Sequence, residues 1–173
     1  TTASYNTAVG YDALSANTTG ASNTAVGRNA LNLNTTANNN TAVGYTSLVS
    51  NTTGTRNVAI GSGALDANTT ANDNTSMGYI SLTANTTGVD NTAFGSETLR
   101  DNTTGVRNTG LGRAALRANT GSNNTGVGHA ALLANTSGES NVAVGRNALD
   151  DNTTASNNTA VGAEALSAHQ TGT

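Results

Sequence analysis

Apolar residues recur in this chain at fixed places within a repeated string. From Asn6 the string NTAVGYDALSANTTGAS returns as NTAVGRNALNLNTTANN from Asn23, then again from Asn40, Asn57, Asn74, Asn91, Asn108, Asn124, Asn141 and Asn158. These ten repeats, at a seventeen-residue spacing with one of them a residue short, make residues 1–173 a single array. So regular a period decides the fold type before any local propensity does.

Counting from each repeat's first asparagine, the fourth place holds a sizeable apolar residue: Val9, Val26, Val43, Ile60, Met77, Phe94, Leu111, Val127, Val144 and Val161. The ninth holds Leu14, Leu31, Leu48, Leu65, Leu82, Leu99, Leu116, Leu132, Leu149 and Leu166. The third and eighth places take only Ala, Ser, Thr or Gly, and the fifth is always Gly. The twelfth is Asn in nine repeats, each followed by Thr, with His169 in the tenth. Thr-Ala-Val predicts a short extended segment with its large residue facing in. Gly ends it where the backbone turns at positive φ. The fourth- and ninth-place side chains are therefore the expected core. Asn-Thr-Thr-Gly is turn chemistry, because Asn tolerates unusual dihedrals and bonds its own backbone. The stretch from Gly10 to Asn17 reads equally as one short helical turn carrying Leu inward.

Stacked, each column becomes a ladder of like residues, with hydrogen-bonded Asn rows and a continuous aliphatic strip. The predicted class is mainly all-β: a repetitive β-solenoid or β-roll of ten coils of ~17 residues, rising about 4.8 Å per coil and spanning about 48 Å. The seventh repeat, NTGLGRAALRANTGSN, loses its residue within the Asn-Thr-Thr-Gly turn. Tolerance of a deletion there predicts an exposed turn. Two large apolar side chains per repeat give a lone coil little volume to fill its own interior. Three chains around one axis would supply a core, so the expectation is a parallel homotrimer, with a monomeric solenoid as the alternative.

The Asn-x-Ala-Val/Ile-Gly element resembles the head repeats of trimeric autotransporter adhesins. The longer pattern NTAVGxxALxxNTTG is similar to arrays in phage tail fibres and related fibrous adhesins, which often end in a self-cleaving chaperone domain. The resemblance covers the whole chain. It departs in period, since adhesin heads repeat at a shorter spacing and lack the small-Leu…Asn-Thr-Thr half. It implies a trimeric fibre for surface attachment: extracellular, on a cell surface or a virion appendage. TTASY at the start reads as the tail of an earlier repeat, and the last repeat stops short of its period. The array is thus expected to be a piece of a longer fibre whose anchor or tip lies outside it.

Composition narrows the function. Seven Arg, no Lys and ten acids give a net charge of −3, which argues against a nucleic-acid partner. No apolar run approaches the length of a membrane span, so no membrane insertion is expected. Cys is absent, which removes disulfide and thiol chemistry. The sixth place, after the invariant Gly, is the most telling surface column. It holds Tyr11, Arg28, Tyr45, Tyr79, Arg113, His129 and Arg146, with Ser62, Ser96 and Ala163 between or beyond them. Tyr faces and Arg forks suit sugar rings and acidic glycans; the plainer reading is that these side chains cover gaps between coils or chains.

Three further signals compete with bland readings. Asn17, Asn34 and Asn135 are among eight twelfth-place matches to the N-glycosylation acceptor pattern, yet a turn-forming Asn row fits it equally. The Thr column from Thr18, Thr35, Thr52, Thr69, Thr86 and Thr103 onward raises ice binding, against a solvated row of turns. His129 and His169 have no periodic acid or nucleophile partner, and Asp150 and Asp151, being adjacent, would not face one way on a strand. No enzymatic role, metal or cofactor is expected. The leading reading is a structural and adhesive fibre module whose partners are copies of itself and surface glycans. Its alternatives are an ice-binding solenoid and a purely mechanical extracellular filament.

Overall fold

The computed structural model describes residues 2–168. Each repeat contributes one three-residue strand: β1 (Thr7–Val9), β2 (Thr24–Val26), β3 (Thr41–Val43), β4 (Val58–Ile60), β5 (Thr75–Met77), β6 (Thr92–Phe94), β7 (Thr109–Leu111), β8 (Thr125–Val127), β9 (Val142–Val144) and β10 (Thr159–Val161). They form one parallel ten-stranded sheet in sequence order. Like pairs with like across every step, Ala25 with Ala42 and Val26 with Val43. The fold is the expected β-solenoid, one coil per repeat.

Turn-to-turn bonding continues beyond the strands. Leu14 N donates to Ala30 O, Ala16 N to Asn32 O, and Thr18 N to Thr35 O at 2.9–3.0 Å. Strands this short are at the lower limit of strand length. Ladder bonds around nearly the whole coil answer the backbone's demand for partners.

The stretch from Gly10 to Asn17 is not a helical turn. Asp12 and Leu14 both have φ of 54°, and the ninth-place Leu of every coil is left-handed. A right-handed helix needs negative φ throughout, so the chain makes two successive tight turns, closed by Ala13 N to Gly10 O and Asn17 N to Leu14 O at 3.3 Å. The fifth-place Gly meets two demands at once. Gly78 has φ of 146°, and a Cβ there would lie 2.3 Å from Gly95 O of the next coil.

The core is only half the one expected. Leu31, Leu48, Leu65, Leu82, Leu99, Leu116, Leu132 and Leu149 are wholly buried, Leu14 is nearly so, and Leu166, in the last described coil, is half exposed. The fourth-place residues Val9, Val26, Val43, Ile60, Met77, Phe94, Leu111, Val127, Val144 and Val161 are not core: every one is partly or fully exposed. Strand side chains alternate in direction. With the third place wholly buried as Ala25, Ala42, Ala59 and Ala93, the second and fourth must face out. The lumen beside a stacked Leu takes only small side chains there, a methyl in most coils and the Ser76 hydroxymethyl, bonded to Ser81 O at 2.8 Å, in the fifth.

Two asparagine ladders fill the rest of the interior. The first-place Asn23 donates from Nδ2 across the coil to Ala37 O at 2.8 Å, and its Oδ1 accepts from Asn40 N at 3.0 Å. The twelfth-place Asn34 donates from Nδ2 to Asn17 Oδ1 at 3.0 Å and to Ala37 O at 3.2 Å. The coil thus closes its interior without a second chain, contrary to the premise that a lone coil cannot. The turn expected to be exposed is so only in part. Its Asn and its Gly or Ala are inside, as at Asn51 and Gly54, while Thr52 and Thr53 lie at the surface.

The short seventh coil rearranges this network. Gly121 N takes over the bond to Thr136 O, at 2.9 Å, that the missing residue would have made. Gly121 O still accepts from Asn108 and Asn119 at 2.9 and 2.8 Å. One rung is lost: Asn102 Oδ1 is buried with no hydrogen-bond partner. Lower down, Asn102 Nδ2 reaches Asn85 Oδ1 at 3.2 Å, and higher up Asn135 Nδ2 reaches Asn119 Oδ1 at 2.6 Å.

Candidate binding surface

Among the described residues there is no cleft or pocket, and no three of His, Asp or Glu converge as metal ligands would. Any recognition by this surface is by its outward columns. Three of them run the length of the array.

The first is the outer side of the sheet. Its second-place rank is Thr in eight coils and Val58 and Val142 in two, and beside it runs the apolar fourth-place rank. Neither rank holds a charged residue in any coil. Phe94 and Leu111 are each 46% exposed at the middle of the array. The second-place Thr hydroxyls have no hydrogen-bond partner among the described residues. Sequence reasoning missed this face. The signal was present in the Thr-Ala-Val alternation, whose invariantly small middle residue marks the narrow side.

The second is the sixth-place stripe. Tyr11, Tyr45 and Tyr79 are all exposed. Arg28 lies between two of these rings, its guanidinium carbon 5.9 Å from the Tyr11 centroid and 5.7 Å from that of Tyr45, a spacing that permits cation–π attraction on both sides. Further along, Arg113 Nη1 is 3.4 Å from His129 Nε2, and Arg146 Nη2 donates to Glu164 Oε1 at 2.6 Å. The structure therefore brings Tyr11, Arg28 and Tyr45 into one group and Arg113 and His129 into another. Tyr79 stands apart between Ser62 and Ser96 in the column.

The third is the Thr turn row. Most of its hydroxyls are tied down: Thr18, Thr35, Thr52, Thr86, Thr120 and Thr136 each donate to the thirteenth-place Thr carbonyl of the next coil at 2.8–3.2 Å. The twelfth-place matches to the glycosylation pattern are occupied structurally: Asn17 is half-buried and donates from Nδ2 to Gly20 O at 2.9 Å, and Asn34, Asn51, Asn68, Asn85, Asn102, Asn135 and Asn152 are wholly buried in the interior ladder. A glycan has no room there. His169 lies outside the described residues.

Charges on the remaining surface pair locally. Arg56 Nε and Nη2 grip Asp73 at 2.6 and 2.7 Å, and this hydrogen-bonded pairing holds the Asp73 carboxyl below its usual range. Arg100 bonds Asp101 and approaches Glu97, which Arg117 also faces at 3.8 Å. Asp150 is different: burial first, then the neighbouring Asp151 charge, pushes its carboxyl up, and its Oδ1 is buried without a partner.

No protein-family profile, no curated protein and no solved structure matches this sequence.

Proposed function

We propose that this chain is a structural and adhesive fibre module, the shaft or head of an extracellular appendage on a cell or virion, working as a parallel homotrimer. The observation that carries the reading is the uncharged, apolar outer rank of the sheet, continuous from Val9 to Val161 and partly or fully exposed throughout. Long exposed apolar surfaces rimmed by polar residues mark association sites. A stripe that recurs at the coil rise finds its best match in another chain with the same rise, so the occupant is a second and third copy of this chain. The sixth-place stripe then lies at the polar rim, where interface edges remain accessible, and presents Tyr and Arg side chains to surface glycans. The resemblance to adhesin heads and tail-fibre arrays points the same way.

The test is sedimentation equilibrium of the intact chain and of Phe94→Asp. Three chains in the parent and one folded chain in the variant are expected. A monomeric parent would remove the trimer from the proposal.

One observation favours a second reading, ice binding. The second-place Thr rank offers unbonded hydroxyls and methyls in register on a regular sheet, which the Thr turn row, with its tied hydroxyls, does not. A freezing-hysteresis measurement on the parent and on Thr41→Lys separates the two readings: hysteresis abolished by that change would favour ice.

A further inference from the structure

We infer that the seventh to ninth coils carry, at Arg113 and His129 with Arg146 flanking them, a subsite for the carboxylate or sulfate of an acidic sugar. The inference deepens the glycan-attachment role proposed above and rests on it. It starts from an anomaly in charge pairing. Arg56 holds Asp73, Arg100 holds Asp101, Arg117 faces Glu97, and Arg146 holds Glu164. Arg28 lies between two Tyr rings, and Arg107 donates to Asn123 at 2.8 Å. Arg113 alone has another basic side chain, His129, as its hydrogen-bond neighbour, and both are exposed.

The surroundings reinforce it. In these three coils the stretches Thr109–Ala115, Thr125–Ala131 and Val142–Ala148 contain no Asp or Glu. On a chain of net charge −3 this is a local inversion of sign. Two exposed basic heads side by side suit the oxyanion of an acidic sugar. Successive coils are about 4.8 Å apart, so one oxyanion between two coils can accept from both heads. The planar Arg fork binds such a group bidentately. The Tyr11–Arg28–Tyr45 group is a poorer site for it, because its guanidinium already lies against two rings.

The experiment is a calorimetric titration of the full chain with a sulfated, uronate-containing tetrasaccharide and with its desulfated, carboxyl-reduced counterpart. The charged sugar is expected to bind, and more weakly as salt rises. Arg113→Ala should weaken it about tenfold, the scale of a lost charge-assisted hydrogen bond; His129→Gln should weaken it less, and Arg28→Ala should leave it unchanged. All three positions are exposed, and circular dichroism checks that each variant keeps the parent's fold. Binding of the charged sugar that Arg113→Ala leaves intact would overturn the subsite. So would binding of only the neutral sugar, lost on Tyr45→Ala, although glycan attachment would then stand. No binding of either sugar would overturn both.

Discussion

Leu82 shows how a single residue can be held in an uncomfortable conformation by its neighbours. Its φ is 51°, a left-handed geometry that costs an L-residue about 1–2 kcal/mol. Complete burial of its side chain contributes about 1.5–3 kcal/mol, and its N–H reaches Thr98 O at 2.9 Å. Leu82→Asp keeps the strain and puts an unpaired charge in the lumen. The loss should exceed the about 2–5 kcal/mol typical of a Leu→Ala cavity, read as a collapse of the denaturation midpoint. Gly110 is fixed by one neighbour: a Cβ there would lie 2.5 Å from Thr98 Cγ2. Gly110→Ala should cost about 1–3 kcal/mol by overpacking, and much less in a Thr98→Ala background. The same two places are Ala30 and Ala42, both buried, in the second and third coils. A double-mutant cycle that shows no coupling would refute this account. Asp150 gives a pH signature. Its folded pKa is raised by burial and by Asp151, so the fold favours its protonated form. That favourable contribution is complete below the unfolded pKa and is lost as pH rises through the folded one. Asp150→Asn should therefore stabilise at pH 7, with the gain shrinking as pH falls through the acid range. Equal gains at pH 7 and at acid pH would exclude the mechanism.

At the scale of the coil, the element is defined less by its three-residue strand than by two side-chain ladders that bond every turn to the next. The seventh coil tests which parts of it are indispensable. Losing one outward Thr leaves the Leu stack, the β7–β8 register and the first-place Asn ladder in place, with Thr109 opposite Thr125 and Asn124 N on Asn108 Oδ1 at 2.9 Å. It removes the bond that Asn102 Oδ1 would otherwise accept. Inserting a Thr between Thr120 and Gly121 should restore that rung and add about 1 kcal/mol, the net worth of an ordinary hydrogen bond. Native-state hydrogen exchange should slow at the sixth and seventh coils and nowhere else. Unchanged exchange there would mean that the ladder break costs nothing. Exposed ion pairs such as Arg56–Asp73 contribute little at this scale, because solvent screens them.

At the scale of the molecule, inside and outside are separately specified, and two aspartate substitutions distinguish them. Leu82→Asp attacks the lumen and should unfold the coils around it at any concentration. Phe94→Asp lies on the outer rank and should leave the circular dichroism spectrum and the thermal midpoint of the dilute chain unchanged, while reducing the mass in solution from three chains to one. If Phe94→Asp unfolds the chain, the outer rank is not merely an association surface. The same division explains why the described residues form no pocket: with a lumen filled by Leu, Ala and Asn, any specificity must be written along the outside, a coil at a time.

The sequence by itself determined the solenoid, its coil boundaries, the in-register stacking, the Gly hinge and the inward Leu column, because a period this strict allows like residues only to stack on like. It also determined which column varies, the stripe from Tyr11 to Arg146. Only the tertiary structure decided which way Val9 and its equivalents face. A three-residue strand offers too little alternation to assign its sides, and hydrophobicity alone places the larger residue inside. The decisive quantity is the width of the lumen: once Leu31 and the two Asn ladders occupy it, Ala25 fits and Val26 does not. The pairing of Arg113 with His129 was likewise not legible, since column membership places two side chains in adjacent coils but leaves their rotamers, and so their partners, to the packing around them.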